Sequence, residues 1–267
     1  MTDGYEERME RLESRLADMD GCAVCFSGGL DSTVLMDIAN RILGEKAVAV
    51  MVDVPMMADR QRDAAMKVAE SIGCRLVRMP VEIGELDGIL RNGHDRCYIC
   101  KTVMYRKVRE AAEKLGIGNV VNGEIVDDLS EDRPGMAAGP ENGILTPLLD
   151  AGIHRSDIVR YLGGMELPLK LVKDTCMLMR YPEGTPVTVE DLRTVEMLES
   201  EVRGLLGLRQ LRVRRTPDGY SVQTSSEERK LLLSGMDSVK KAFAAHGFEA
   251  GFNDVPYDRR RRRNMDI

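Results

Sequence analysis

Apolar and polar residues follow two different patterns along the first two thirds of the chain. Short continuous apolar runs, Cys22-Ala23-Val24-Cys25-Phe26 and Ala47-Val48-Ala49-Val50-Met51-Val52, are typical of strands buried on both faces. Between them apolar residues recur every three or four positions, as at Val34, Ile38 and Ile42, which predicts helices. In order, the predicted elements are helix 6–20, strand 22–26, helix 32–43, strand 47–52, helix 62–72, strand 75–81, helix 102–115 and strand 119–121.

This alternation of strands and helices predicts an α/β fold built on a doubly wound parallel sheet, which binds ligands at the carboxyl ends of its strands. The pattern changes after Pro182. A helix over 189–205, a charged hairpin around Pro217-Asp218-Gly219, a helix over 226–245 capped by Ser226 and an edge strand over 251–255 follow. We therefore expect a nucleotide-binding domain over residues 1–182. A small α+β domain for substrate binding or oligomerisation is expected over 183–267.

Composition narrows the class of protein. The 267 residues are 43% hydrophobic, which is enough for a real core and excludes wholesale disorder. No apolar run could span a membrane and the acidic start resembles no signal peptide, so a cytoplasmic protein is expected. The formal net charge of −6 argues against a nucleic-acid partner, although Arg259–Arg263 form a basic run that we interpret as a solvated or intersubunit tail. Because this basic run could also contact RNA, binding of tRNA stays open as an alternative.

A glycine- and hydroxyl-rich loop separates the first predicted strand from the next helix. It reads Ser27-Gly28-Gly29-Leu30-Asp31-Ser32-Thr33. The glycines allow a tight turn, the hydroxyls are donors, and the start of the helix adds a positive dipole end, which together form a cradle for an anion. A carboxylate at Asp31 suits such a site if it holds Mg²⁺. An ordinary capped turn is the alternative, and six fitting positions at one junction weaken it.

The loop resembles the SGGxDS motif of the PP-loop ATP pyrophosphatase superfamily. The resemblance implies ATP and Mg²⁺ as ligands, cleavage of ATP between the α and β phosphates, and adenylation of an acceptor oxygen. It also implies that Ser27, Gly28, Gly29, Asp31, Ser32 and Thr33 contact the nucleotide. Asp53, after the second strand, falls where the family holds adenosine. The motif does not identify the acceptor.

Three of the six cysteines are predicted to be structural. Cys22 and Cys25 are three residues apart on a strand, so their side chains point to opposite faces and do not form a metal pair. Cys74 has no partner nearby in the sequence. Without a secretory start, the six cysteines do not read as a disulfide framework.

The other three cysteines are candidates for chemistry. Cys97 and Cys100 lie at the entry to a predicted helix, where a spacing of three places both sulfurs on one face, and basic neighbours are typical of thiolates. With Cys176 they could hold an iron–sulfur cluster by three of its irons, leaving the fourth iron open. A zinc site that includes His94, or a redox pair without Cys176, remains an alternative.

A second resemblance extends from about residue 10 to the C-terminus. Arg96–Lys101 resemble the RCYxCK motif of ATP-dependent sulfur transferases of the LarE type, and Asp127–Gly135 resemble their DD…RPG segment. Cys176–Gly184 parallel their CLxSRxPYG motif, and Arg212-Val213-Arg214 their RVR. These enzymes put sulfur into pyridinium-3,5-biscarboxylate mononucleotide on the route to a nickel-pincer cofactor.

This family implies a role for each matching residue. Asp31, Lys101 and Cys176 are the expected catalytic residues, Cys97, Cys100 and Cys176 the ligands of a 4Fe-4S cluster, and Arg180, Arg212, Arg214 and Asp128 the substrate-binding residues. Some members instead sacrifice the cysteine that matches Cys176, converting it to dehydroalanine. The family also implies a small-molecule carboxylate substrate and a homo-oligomer, a hexamer in relatives.

Three segments depart from the family pattern around the expected acceptor pocket: Met179, Glu183 and Asn122–Ile125. These departures leave open which carboxylate is thiolated. They do not affect the expectation that the protein adenylates its acceptor. Two other functions also stay open, a tRNA-thiolating PP-loop enzyme and a non-enzymatic nucleotide-binding or iron–sulfur protein.

Overall fold

A computed structural model of the chain describes residues 4–130, 134–167 and 175–253. The chain divides into two compact units, Met1–Asp174 and Thr175–Ile267. The sequence-based boundary follows Pro182, so the segment that begins at Cys176 belongs to the second unit in the structure.

The first unit is a four-stranded parallel sheet covered by helices. In chain order its elements are α1 (Tyr5–Ala17), β1 (Cys22–Cys25), α2 (Leu30–Leu43), β2 (Ala47–Asp53), α3 (Asp59–Ile72), β3 (Arg75–Pro80), α4 (Asp87–Leu90), α5 (Arg96–Lys114), β4 (Asn119–Val121), α6 (Ala138–Glu141), α7 (Pro147–Ala151) and α8 (Arg155–Leu162). The strand order is β3-β2-β1-β4 and every pairing is parallel. The predicted α/β fold with a doubly wound sheet is confirmed.

The continuous apolar runs form the centre of the sheet because helices cover both of its faces. Cys22, Ala23 and Val24 of β1 are fully buried, and Ala47–Val52 of β2 are nearly so. From α2, Val34, Leu35 and Ile38 pack into the same core, which Leu12 and Leu16 of α1 extend.

Three predicted helix starts in this unit are corrected. Helix α3 begins at Asp59, three residues before the prediction. Helix α2 begins at Leu30, two residues before the prediction, so Asp31 lies in its first turn. Helix α5 begins at Arg96 rather than near Thr102, so Cys97 and Cys100 lie inside the helix. In this additional first turn, Ile99 packs against α4 at Gly88.

The second unit combines helices with a three-stranded sheet. It contains α9 (Val189–Leu206), β5 (Leu211–Thr216), β6 (Gly219–Thr224), α10 (Arg229–Ser234), α11 (Met236–Ala245) and β7 (Ala250–Phe252). β5 and β6 form the predicted antiparallel hairpin, and β7 pairs in parallel with β6. Residues 254 and 255 of the predicted edge strand lie outside the described residues.

The helix predicted over 226–245 with Ser226 as its cap is wrong in detail. The structure has two helices that meet at Gly235, and the first begins only at Arg229. A Cβ atom at Gly235 would lie 2.2 Å from Cδ2 of Leu206. Leu206 of α9 therefore packs closely over the junction, and a side chain at this position would displace it. No helix in the described part of the chain is long and apolar enough to cross a membrane.

Candidate active site

The candidate nucleotide site lies where the direction of strand order reverses. Strands β2 and β3 continue to one side of β1, whereas β4 pairs on its other side. The carboxyl ends of β1 and β4 therefore bound the crevice in which doubly wound sheets bind ligands. The Ser27–Thr33 loop follows β1, and Asp53 ends the neighbouring strand β2.

Hydrogen bonds within the loop hold it in a closed turn. Ser27 Oγ lies 3.2 Å from Ser32 Oγ and accepts from the Gly29 amide at 3.3 Å. Ser32 Oγ donates to the Gly29 carbonyl at 3.1 Å. Ser27 is exposed, whereas Ser32 and Thr33 are buried. The loop therefore presents Ser27, the glycine backbone and the first turn of α2, while the hydroxyls of Ser32 and Thr33 face inward.

Gly28 holds the loop against helix α3. Its φ of +67° lies in the left-handed region, and an added Cβ would lie 2.6 Å from both Cα and Cβ of Ala65. Only glycine satisfies both conditions. The loop is thus seated on α3 with its backbone turned toward the crevice, which fits a phosphate cradle.

Asp31, the expected Mg²⁺ ligand, forms an ion pair with Arg155, the first residue of α8. Its side chain is 23% exposed and that of Arg155 is 30% exposed, so the pair remains open to solvent. Asp128 has a different environment. It is buried, and its Oδ2 accepts from the backbone amide of Ile125 at 3.2 Å. In the structure Asp128 therefore fixes the turn after β4.

Asp53 is paired with two arginines. Arg62 Nε donates to Oδ1 at 2.5 Å, and Arg78 donates to Oδ2. Burial on its own would raise the pKa of the Asp53 carboxyl, but the two guanidinium groups hold it below its usual range. Asp53 is thus an ionised acceptor at the end of β2, beside the loop that follows β1.

The first two turns of α5 carry Cys97, Cys100 and Lys101. Cys97 is exposed and Cys100 is half-buried, with its Sγ 3.8 Å from Sδ of Met104. Lys101 turns toward the sheet, where its Nζ binds Glu124 Oε1 at 2.7 Å. Glu124 is buried, and its backbone amide is held by Asn122. This buried partner of Lys101 was not predicted as a site residue.

Burial desolvates the three cysteines that were predicted to be structural, although the charges of Lys101 and Glu124 also act on Cys25. Cys22 is fully buried, Cys74 packs against the core, and Cys25 is partly exposed at the carboxyl end of β1. Desolvation raises the pKa of the Cys22 and Cys25 thiols to about 12 and that of Cys74 to about 11. Burial therefore favours the protonated form of these three thiols, whereas metal ligands and nucleophiles react as thiolates.

In the second unit, a buried arginine holds the segment that carries the exposed Cys176. Arg180 Nη1 donates to Thr175 Oγ1 at 2.7 Å, to the Thr175 carbonyl at 3.0 Å and to the Cys176 carbonyl at 3.3 Å. Its Nε donates to Glu199 Oε1 of α9 at 2.8 Å. The Glu199 carboxylate also accepts from Arg203 and from the Val213 amide. The cysteine segment is thus fixed to α9 and β5.

Arg212 and Arg214 share one face of β5, as the alternation of side chains predicted. Arg212 is buried, and its Nη1 donates to the Leu211 carbonyl at 2.7 Å. Arg214 is partly exposed, and it donates to Gln223 Oε1 at 2.8 Å and to the Met179 carbonyl at 2.5 Å. Of the two, Arg214 presents the more accessible cation.

Comparison with known proteins gives matches along most of the chain. An uncharacterized protein of Synechocystis is 31% identical over 248 residues, which is 91% of this chain and 91% of that protein. The pyridinium-3,5-bisthiocarboxylic acid mononucleotide synthase of Lactiplantibacillus plantarum is 30% identical over 241 residues, 89% of this chain and 86% of that enzyme. No family model matches the chain.

The chain belongs to the family of this synthase.

A shorter similarity extends beyond the synthase family. One subunit of the glutamine-hydrolyzing GMP synthase of Methanoculleus marisnigri is 25% identical over 166 residues, 58% of this chain and 53% of that protein. The match to the synthase, in contrast, is long enough to include residues of both units.

The expected metal ligands of this synthase-family member are spread over both units. Cys97 and Cys100 lie in the first unit and Cys176 in the second. Among residues 4–130, 134–167 and 175–253, no three His, Cys, Asp or Glu side chains are grouped so as to hold a metal ion. Arg133 of the RPG segment and Arg259–Arg263 lie outside the described residues.

Sequence reasoning missed three residues that bind the expected site residues. Arg155 pairs with Asp31, Glu124 with Lys101, and Glu199 with Arg180. Each partner is separated from its site residue by 19 to 124 positions along the chain. No local spacing or periodicity indicates such pairs, and only the fold brings them together.

Proposed function

We propose that the protein is an ATP-dependent sulfurtransferase. It adenylates a carboxylate of an acceptor similar to pyridinium biscarboxylate mononucleotide, releases pyrophosphate, and forms a thiocarboxylate. The observation that carries this proposal is the closed glycine loop at the switch point of the sheet, in a chain that is 30% identical to the synthase over 89% of its length. Relatives among the GMP synthases support ATP as the nucleotide.

The first step uses the residues around the loop. The backbone of Ser27–Gly29 and the start of α2 bind the phosphates, and Asp31 is the proposed ligand of Mg²⁺. Asp53 accepts from the adenosine. An oxygen of the substrate carboxylate forms a bond to the α phosphorus while the bond to the pyrophosphate oxygen breaks. The product is an acyl-adenylate, in which AMP has become the leaving group.

The second step replaces AMP by sulfur. A sulfide forms a bond to the acyl carbon and the bond to the AMP oxygen breaks, which leaves a thiocarboxylate. We propose that Cys97, Cys100 and Cys176 would hold a 4Fe-4S cluster, and that this group would supply the sulfide. The exposure of Cys97 and Cys176 supports their part in this proposal, whereas Cys100 is half-buried like Cys25 and Cys74.

Contacts of the arginines refine their proposed roles. Arg214, partly exposed on β5, is the proposed ligand of the substrate phosphate, with Arg212 beside it on the same face. The bonds from Arg180 to the backbone of Thr175 and Cys176 support a role in holding the cysteine segment. Lys101, paired with Glu124, is proposed to offset charge near the acyl-adenylate.

One anaerobic assay tests both steps. Purified protein is incubated with Mg²⁺, ATP and pyridinium biscarboxylate mononucleotide, and pyrophosphate, AMP, iron content and visible absorbance are measured. We expect pyrophosphate and AMP to form only with the acceptor and to be lost in Asp31→Ala. We also expect a brown protein whose iron is lost in Cys97→Ser, Cys100→Ser and Cys176→Ser.

Matched variants make the assay specific. Cys25→Ser and Cys74→Ser should keep their iron, because these thiols are desolvated and structural. Formation of ADP and phosphate would contradict adenylation. A colourless protein with stoichiometric zinc would contradict the cluster. Mass spectrometry after turnover tests the sacrificial route. Loss of one sulfur and two hydrogens at Cys176 would identify this cysteine as the sulfur donor and contradict transfer from a cluster.

We further propose that the protein works in the cytoplasm as a homo-oligomer, a hexamer by analogy with its family. Sedimentation of the full chain with and without ATP measures the number of subunits. A concentration-independent monomer would contradict this assignment.

A further inference from the structure

The nucleotide loop carries no positive side chain of its own. Ser27-Gly28-Gly29-Leu30-Asp31-Ser32-Thr33 contains neither lysine nor arginine, and Asp31 adds a negative charge. A triphosphate carries several negative charges and would meet this carboxylate directly. Backbone dipoles and Mg²⁺ offset part of that charge. A side-chain cation from elsewhere in the fold would offset the remainder.

Arg155 is placed to be that cation. It begins α8, 124 positions from Asp31 in sequence, and its guanidinium Nη1 binds Asp31 Oδ1. Its backbone is fixed separately, because its amide donates to Asp127 Oδ2 at 2.9 Å. The neighbouring His154 also contacts Asp127, with Nδ1 3.3 Å from Oδ2. The main chain of Arg155 is thus held in place while its side chain reaches over the start of α2.

Helix α8 does not depend on this ion pair for its position. Arg8 of α1 binds Asp157 through two bonds of 2.9 and 2.6 Å, and the Asp157 side chain is only 4% exposed. Ile158 is fully buried, and Tyr161 Oη donates to Asp37 of α2 at 2.6 Å. The Arg155–Asp31 pair, in contrast, is partly solvated, and such pairs contribute little to stability.

We propose that Arg155 is a pyrophosphate-binding residue of the nucleotide site. It neutralises Asp31 while the site holds no nucleotide. With ATP and Mg²⁺ bound, Asp31 would be a ligand of the metal ion, and the guanidinium would be free to bind the β and γ phosphates. This exchange favours binding, because charge-assisted arginine–phosphate bonds are stronger than a solvated ion pair. In adenylation the same contact stabilises the departing pyrophosphate.

This inference rests on the proposed ATP site, and binding measurements without turnover test it. Isothermal titration of the full chain with Mg²⁺ and α,β-methylene ATP, AMP or pyrophosphate is compared for the unaltered protein, Arg155→Ala and Arg155→Lys. We expect Arg155→Ala to lower the affinity for the ATP analogue and for pyrophosphate by about tenfold or more, while the affinity for AMP stays unchanged. Arg155→Lys should restore part of the loss, because lysine keeps the charge without the planar fork.

Arg160→Ala is the matched control. Arg160 lies on the same helix, and its Nη2 binds Glu6 Oε1 at 2.8 Å, away from the loop. This variant should bind all three ligands as the unaltered protein does. Equal binding of the ATP analogue by Arg155→Ala and the unaltered protein would overturn the inference alone, and so would an equal loss for AMP. If the unaltered protein binds neither the analogue nor AMP, the proposed ATP site fails as well.

Discussion

At the scale of single residues, the carboxylate of Glu199 stabilises the cysteine segment of the second unit. Burial on its own would raise the pKa of this carboxyl, but Arg180 and then Arg203 and Arg212 hold it below its usual range. The Arg180 side chain is fully buried and that of Glu199 is 2% exposed. Removing one member of such a pair leaves a buried charge without its counterion, and this strongly destabilises the folded protein.

Glu199→Ala should therefore destabilise the protein by about 3–5 kcal/mol, as measured by urea unfolding at pH 7. The effect should depend on pH. A depressed pKa contributes stability that is fully present above the pKa of the unfolded chain, about 4.3, and is lost as the pH falls through the lower folded value. The difference between Glu199→Ala and the unaltered protein should accordingly shrink below about pH 4.

Glu190→Ala is the control for that prediction. Glu190 lies on the same helix, α9, and its pair with Arg193 is 4.0 Å long, with side chains 82% and 74% exposed. Its loss should change the free energy of unfolding by at most about 1 kcal/mol. An equal effect of the two substitutions would show that the buried pair contributes no more than an exposed one.

At the scale of elements, the nucleotide loop depends on its contact with α3. Gly28→Ala places a Cβ 2.6 Å from Ala65 and imposes a left-handed backbone on alanine. The loop must then move away from α3. We expect a weaker affinity for ATP by about tenfold or more, equivalent to about 1.4 kcal/mol, together with a lower melting temperature. Titration with α,β-methylene ATP and thermal unfolding measure the two effects.

Gly73 separates backbone strain from loop displacement. It ends α3 with a φ of +71°, and nothing lies within 4 Å of an added Cβ. Gly73→Ala should therefore lower stability by about 1–2 kcal/mol from strain and leave the affinity for ATP unchanged. A loss of affinity in Gly73→Ala as large as that in Gly28→Ala would mean that general destabilisation, not the position of the loop, weakens binding.

Some elements of this fold follow from local sequence patterns, and others depend on distant residues. β1, β2, the glycine loop and the β5–β6 hairpin follow from residues adjacent in the chain, because burial of both faces and turn chemistry leave a local pattern. The break between α10 and α11 lies at Gly235, where Leu206 from about thirty positions earlier packs closely, whereas the local pattern predicts one helix. The pairs of Asp31 with Arg155 and of Lys101 with Glu124 likewise form only once the sheet has brought distant segments together.

At the scale of the whole molecule, net charge discriminates between a small acceptor and tRNA. The chain has 38 basic and 44 acidic residues, and Arg259–Arg263 supply five of the basic ones. Without that run, 33 basic residues face 44 acidic ones, so the rest of the chain repels a polyanion. Binding of tRNA that depends on five arginines is electrostatic and non-specific. Its affinity falls steeply as the salt concentration rises, because the release of counterions from the RNA then contributes less free energy.

We therefore expect tRNA to bind only at low ionic strength, with a slope of log affinity against log salt no steeper than about −4. Replacement of the five arginines by glutamine should abolish this binding in a filter-retention assay. It should leave pyrophosphate release with the small carboxylate unchanged, because none of the proposed nucleotide-binding or substrate-binding residues belongs to the run. Binding of tRNA that persists at physiological salt after this replacement, or pyrophosphate release that requires tRNA, would contradict a small-molecule acceptor and favour a tRNA-thiolating enzyme.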